Sequence, residues 1–258
     1  MVNPSFFTSI INNYLPEPQA SLLNGILFGI NLKPTKIFYE QLKIVGLLHI
    51  IVLSGMNITI LAAIISSLTS FFSKRVSIMI TILMIILFIL FVGPKAPIIR
   101  AGLMGSLTLV AILTGRKNFV LYSLFLSLIF IAIVFPRWLT SISLFLSYGA
   151  TFGIVFFGQT PSKNWLIKEL KITLSAQIFT VPIIFIYFKQ ISLIAPLSNV
   201  LVAPIIPPLM IFGFLTAILG KINYLLGLIP SYICYGLLTY MVWVVEILSK
   251  LSFMFIKF

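Results

Sequence analysis

The chain has 258 residues, of which 60% are hydrophobic and 8% are charged. A soluble domain carries about 25% charged residues, so this composition excludes a water-soluble globular protein and indicates an integral membrane protein. Seventeen Lys and Arg against four acidic residues give a net charge of +13, which suits either basic helix ends at anionic lipid or a polyanionic ligand.

The chain contains one Cys, one His and no Asp. These counts exclude an internal disulfide and a zinc site of the usual composition, so we expect no metal and no cofactor. The first residues lack the basic end, apolar core and cleavage site of a signal peptide. We therefore expect the first spanning helix to direct membrane insertion.

In chain order, residues 20–43 come first, as a short interfacial or re-entrant segment. The apolar run 20–30 is too short to span a bilayer, and a turn with Pro34 and basic residues follows it. Eight apolar stretches then predict an all-α polytopic membrane protein with seven or eight transmembrane helices in one domain, residues 1–258. The stretches are 44–72, 76–92, 96–115, 119–135, 139–158, 171–188, 190–220 and 222–248. The stretch 190–220 contains four Pro, which predicts a broken or re-entrant helix there.

Basic residues are concentrated in alternate loops, which predicts that those loops are cytoplasmic. The richer side holds Lys74, Arg75, Arg116, Lys117, Lys163, Lys168, Lys171 and Lys221. The other side holds Lys95, Arg137 and Lys189 between spans. The terminal basic residues also fall on that second side and oppose the assignment; they are Lys33, Lys36, Lys43, Lys250 and Lys257.

Three polar residues interrupt the first predicted span: His49, Ser54 and Asn57. On one continuous helix they fall at about 0°, 140° and 80°, so they would share a side. Gly55 would let the backbone bend or let a neighbouring helix approach. An ionisable residue in a membrane is a candidate functional residue, whereas hydrogen bonding between helices is the alternative explanation.

Further polar residues lie in other predicted spans. Arg100 lies one turn inside the helix expected to start at Ala96, where it either snorkels to the interface or faces an internal aqueous path. Ser147, Gln177 and Asn199 are each surrounded by apolar sequence. Polar residues on several separate spans are typical of the interior of a channel or transporter.

His49 and Ser54 also raise the question of an intramembrane serine protease. In rhomboid-type proteases the serine lies in Gly-x-Ser-Gly and the histidine lies on another helix. Here position 52 is Val, and the single His precedes Ser54 on the same predicted helix. We therefore expect that the chain is not an enzyme.

Four segments resemble a known family in order and spacing. The stretches LPEPQASLLNGILFGI and VGLLHIIVLSGMNITIL resemble the opening of the competence domain of the ComEC/Rec2 family. The matching residues are Leu15, Pro16, Glu17, Ala20, Leu22, Gly25, Gly29, Gly46, His49, Ser54 and Gly55. The stretches PIIRAGLMGSLTLVAILTGRK, SISLFLSYGATFGIVFF and LSAQIFTVPIIFIYFKQISLIAPLSNVLVAPIIP resemble its later segments. The resemblance covers residues 15–215.

This resemblance implies an inner-membrane channel that carries single-stranded DNA into the cell during natural transformation. It implies that His49, Ser54 and Asn57 line or brace the passage, and that Arg100 contacts phosphate. We expect His49 and Asn57 to point into the protein at a kink made by Ser54 and Gly55, and to meet polar groups around Asn199. The alternative function is a small transporter or lipid-handling membrane protein with the same fold.

The chain departs from the family pattern in two ways. Asn57 stands where the family has a second His, so a role for paired histidines is not expected. The soluble OB-like and metallo-β-lactamase-like domains of full-length members are not in this sequence. The expected partners are therefore single-stranded DNA, anionic lipids, and other DNA-uptake proteins that supply soluble domains and a motor.

Overall fold

The computed structural model describes residues 4–30, 35–51, 54–116, 119–158, 164–251 and 255–257. Lys33, Pro34, Lys117 and Lys163 of the predicted loops lie outside these ranges. The described residues are almost entirely helical, which confirms the predicted all-α membrane fold. They form two compact units, Met1–Leu53 with Gln190–Phe258, and Ser54–Lys189. The single domain over residues 1–258 stays a prediction.

The first unit begins with four short helices: α1 (Pro4–Tyr14), α2 (Gln19–Phe28), α3 (Lys36–Ile44) and α4 (Leu48–Ile51). Nine of the ten residues of α2 are buried. Residues 20–43 thus hold short helices, as the sequence predicted, and α2 is enclosed by protein on nearly all sides. The position of this segment at a membrane surface stays a prediction.

The second unit contains six helices: α5 (Gly55–Leu68), α6 (Lys74–Val92), α7 (Ala96–Thr114), α8 (Val120–Val134), α9 (Ile142–Phe157) and α10 (Trp165–Phe188). Helix α7 packs against α5, α6, α8 and α9, which makes it the central helix of this unit. Its first turn joins an apolar cluster with Ile131 and Leu144. Helix α9 lies close to α10 at Gly153, where a Cβ atom would collide with the Ser175 carbonyl group.

The first unit continues with β1 (Gln190–Ser192), α11 (Ala195–Val202), α12 (Ile206–Ile222), α13 (Tyr224–Ser249) and β2 (Phe255–Lys257). Helices α11 and α12 are separated by a 3-10 turn at Ala203–Ile205, so the prediction of a broken stretch over 190–220 is confirmed. Prolines stand in the first turns of both helices and in the 3-10 turn, because these positions need no backbone N–H donor. Helix α2 packs against α1, α4, α12 and α13.

The small sheet was not predicted from the sequence. Strands β1 and β2 pair antiparallel, with Ile191 opposite Ile256. Strands of three residues are too short to show an alternating pattern.

Five described helical segments are long and apolar enough to cross a membrane: Lys74–Val92, Ala96–Thr114, Trp165–Phe188, Ala195–Ile222 and Tyr224–Ser249. Other apolar helices are shorter; the 15 residues of α8 extend about 22 Å, against about 30 Å of hydrocarbon. Large apolar side chains such as Leu90, Ile133 and Ile229 are exposed on the outside of the helices, as lipid contact requires. The chain is a multi-pass membrane protein, and the count of seven or eight spans stays a prediction.

The prediction that residues 44–72 form one span is wrong. Helix α3 ends at Ile44, Gly46 has a left-handed backbone with φ +74°, and Ser54 is extended before α5 begins. A continuous helix cannot include these conformations. His49, Ser54 and Asn57 therefore do not share one side of a single helix.

The end of α3 is closed by a Schellman motif. The Leu47 N–H donates to the Leu42 carbonyl at 3.0 Å, and the Gly46 N–H donates to the Lys43 carbonyl at 3.1 Å. A Cβ atom on Gly46 would lie 2.6 Å from the Cβ atom of Ala195. Position 46 therefore requires glycine for two reasons, its backbone conformation and its contact with α11.

We predict that Gly46→Ala destabilises the protein by at least about 1–2 kcal/mol, because a left-handed alanine is strained and its methyl group collides with Ala195. Gly236→Ala is the matched control in α13, where no atom lies within 4 Å of the added carbon. That control should be neutral or stabilising by up to about 1 kcal/mol. Thermal unfolding in detergent measures both, and equal melting temperatures for the two variants would contradict this account.

Candidate functional site

Arg100 is the fifth residue of α7, and its guanidinium contacts two other helices. Its Nη1 donates to Thr151 Oγ1 on α9 and lies 3.6 Å from the Met104 sulfur one turn along α7. Its Cζ lies 5.9 Å from the centre of the Tyr148 ring on α9. These contacts turn the side chain toward protein, whereas a snorkelling arginine extends toward the membrane surface.

Gly55, the first residue of α5, lies against the other side of this guanidinium. A Cβ atom at position 55 would lie 2.7 Å from Arg100 Nη2 and 3.1 Å from Ala101 Cβ. Two motifs that are far apart in the sequence, Ser54-Gly55 and Arg100-Ala101, therefore meet in the second unit. Gly55 leaves space for the arginine, and the Ala101 methyl lies against Gly55 where α5 contacts α7.

Within the described residues, no carboxylate pairs with the charge of Arg100. All four glutamates lie in the described part of the chain, and the ion pair found there joins Lys43 to Glu40 at 3.9 Å. Arg100 Nε is enclosed by protein and has no hydrogen-bond partner among the described residues. Among the described residues, the groups in contact with this cation are neutral.

A chain of hydrogen bonds fixes the groups around Arg100. Thr151 Oγ1 donates to the Ser147 carbonyl at 3.0 Å, so its oxygen is oriented to accept from Arg100. Ser127 Oγ on α8 donates to the Leu124 carbonyl at 2.7 Å. Because a hydroxyl has one hydrogen, the 2.7 Å contact between Tyr148 and Ser127 must be donated by the tyrosine. The Tyr148 ring is thereby held beside Arg100.

Ser54 and Asn57 form a local pair at the start of α5. Ser54 Oγ donates to Asn57 Oδ1 at 3.3 Å, and the Asn57 N–H donates to the Ser54 carbonyl at 3.2 Å. The Asn57 side chain is completely buried. These bonds hold the first turn of α5, and with it the position of Gly55.

His49 belongs to the first unit and binds the end of α3. Its Nδ1 lies 2.9 Å from the Gly46 carbonyl, and since a carbonyl only accepts, Nδ1 carries the proton. Ser192 and Ser198 donate to the two preceding carbonyls, those of Ile44 and Val45, at 2.6 Å each. Three side chains thus satisfy the carbonyls that the Schellman motif leaves open. The His49 ring itself is exposed.

The remaining predicted site residues are not gathered into one place. Asn199 is buried on α11 and its Oδ1 has no partner among the described residues, while the hydrogen bond of His49 joins it to the Gly46 carbonyl. Asn57 and Asn199 lie in different units. Gln177 on α10 makes no side-chain hydrogen bond within the described residues, and Ser147 takes part through its carbonyl.

Five residues around these sites were not singled out from the sequence: Ser127, Tyr148, Thr151, Ser192 and Ser198. Tyr148 and Thr151 follow Ser147 in the segment LSYGAT, one helical turn apart, and this spacing is the signal that could have identified them. Ser127 and the two capping serines have no such signal. Within the described residues, no group of three His, Cys, Asp or Glu is close enough to hold a metal ion.

Comparison with known proteins adds the family. Residues 26–258 match the family described as Competence protein, which confirms the resemblance seen in the motifs. A protein of Aquifex aeolicus (strain VF5), described as an uncharacterized protein, is 30% identical over 180 residues. The match covers 70% of this chain and 41% of that relative, so the chain spans less than half of its length. No solved structure matches. Since the family match extends over most of its residues, the chain belongs to the competence protein family of the ComEC/Rec2 type.

Proposed function

We propose that this chain forms the membrane path through which single-stranded DNA crosses the inner (cytoplasmic) membrane during natural transformation. Family membership and the multi-pass helical fold support this function. The net charge of +13 supports it further, because each nucleotide carries a phosphodiester anion.

The observation that carries the proposal is the Arg100 cation on α7, which has no carboxylate beside it among the described residues. Ionisable residues in spanning helices face the protein interior or a water-filled cavity and are usually functional, and Arg100, one turn inside α7, is turned toward protein. A phosphodiester supplies the missing negative charge and oxygen acceptors suited to the guanidinium fork. A path for neutral lipid or solute would not need this cation.

The remaining partners follow from charge and from the needs of transport. Exposed basic residues at helix ends, such as Lys74 and Arg75 on α6, suit contact with anionic lipid headgroups. Strand translocation also requires a motor and soluble components. We expect other DNA-uptake proteins to supply them.

We predict that Arg100→Ala lowers the transformation frequency by at least about 30-fold, because the loss of one partner of a desolvated charge pair costs about 2–5 kcal/mol. Arg100→Lys keeps the charge without the planar fork and should retain part of the uptake. The measurement uses cells in which the variant is the sole copy, with immunoblots of the membrane fraction to confirm its amount.

Arg137→Ala is the control, since it removes the same charge from an exposed turn of the second unit. It should leave uptake within about twofold of the wild type, as expected for an exposed charge. Normal uptake by a well-inserted Arg100→Ala variant would refute the phosphate role and favour a lipid or solute function.

In this proposal His49 has a structural role. We predict that His49→Leu removes the donor to the Gly46 carbonyl and lowers stability by about 1 kcal/mol, and that uptake falls with it. His49→Asn places an amide donor where Nδ1 stood and should retain both properties. Thermal unfolding and transformation are measured together for each variant. A His49→Asn protein that is as stable as the wild type but inactive in uptake would instead assign a chemical role to the exposed ring.

A further inference from the structure

We propose that Gly55 and Thr151 are positioning residues that hold the Arg100 guanidinium in the orientation that binds a phosphodiester group. The inference rests on the proposed function, because that function supplies the ligand. It concerns residues on two other helices, α5 and α9, and the geometry between them and α7.

The orientation follows from which guanidinium nitrogens are already occupied. Nη1 is taken by Thr151 Oγ1 and faces the Met104 sulfur. Nε has no hydrogen-bond partner, and Nη2 makes no hydrogen bond with the described residues. Nε is enclosed by protein, so the nitrogen that Thr151 leaves for a phosphate oxygen is Nη2, on the side of Gly55.

Gly55 is required for space and not for its backbone conformation. Its φ angle is outside the left-handed region, where any residue would be strained, and it starts a helix in which alanine is favoured. A methyl group there would lie 2.7 Å from Nη2 and 3.1 Å from Ala101 Cβ. The Ala101 methyl is fixed to α7, whereas the arginine side chain can rotate. The added methyl would therefore displace the guanidinium.

Thr151 and Tyr148 hold the opposite side. Thr151 donates to a carbonyl of its own helix, so its lone pair faces Nη1. The Tyr148 ring is fixed by Ser127 and lies 5.9 Å from Cζ, within range of a cation–π contact. The guanidinium thus lies between Gly55, which leaves space for it, and the Thr151 hydroxyl, which accepts its hydrogen bond.

The first test compares Gly55→Ala with Gly105→Ala, a control on α7 where no atom lies within 4 Å of the added carbon. The purified proteins are placed in nanodiscs and titrated with a fluorescent oligothymidylate. Gly55→Ala should weaken binding about tenfold or more, the size expected when a hydrogen bond to a charged group is lost. Gly105→Ala should bind as the wild type does. Equal binding by both variants overturns the proposal.

The second test is a double-mutant cycle with Arg100→Lys, which lacks Nη2. If the methyl acts by displacing the guanidinium, Gly55→Ala has no further effect in the Arg100→Lys protein. If Gly55 has only a general packing role, the two losses multiply, and that result overturns the proposal. This readout does not depend on the folding of one variant, since each pair differs by the same methyl group.

The third test concerns Thr151. Thr151→Val keeps the shape but removes the acceptor, and should weaken binding about tenfold or more. Thr151→Ser keeps the acceptor and should restore it. If Arg100→Ala loses binding while Gly55→Ala and Thr151→Val keep it, this inference fails and the proposed function stands. If Arg100→Ala binds normally, the proposed function itself fails.

Discussion

A membrane interior offers no water, so each polar group placed there must find its partner within the protein. In the second unit this constraint centres on the guanidinium of Arg100. Arg100 lies on α7, and Gly55 on α5 leaves space for its guanidinium. Thr151 and Tyr148 on α9 contact the guanidinium, and Ser127 on α8 accepts a hydrogen bond from Tyr148. Four of the six helices are thus arranged around one cation, and they provide it with neutral partners.

The first unit meets the same constraint in a different way. At the end of α3, three backbone carbonyl groups receive no hydrogen bond from the helix or its Schellman motif. Ser192, Ser198 and His49 satisfy these carbonyls, and Gly46 lets the chain turn close to α11. This break in the backbone is tolerated because protein side chains complete its hydrogen bonds. The single histidine of the chain therefore has a clear structural reason to be where it is.

Family membership and site geometry support the proposed function in different ways. Membership in the competence protein family connects the chain with DNA uptake but assigns no role to a residue. The geometry adds the Arg100 cation, which is not paired with a carboxylate among the described residues. The acidic residue described in the second unit is Glu169, near the start of α10, and it forms no ion pair with Arg100. The positive charge at this site supports the proposed contact with a polyanion.

Composition and hydropathy determined the class of protein, the helical fold and the location of most helices, because lipid imposes long apolar runs that are readable one residue at a time. The prolines located the break between α11 and α12 for the same local reason. The tertiary structure alone decided that residues 44–72 are not one helix, that β1 and β2 pair, and that His49 caps α3. It also decided that Gly55 meets Arg100, since 45 positions separate them in the chain and only the packing of α5 on α7 brings them together. Contacts of this kind depend on which faces of the helices pack together. A membrane helix is hydrophobic on all sides, so its sequence pattern does not indicate which face contacts a neighbouring helix.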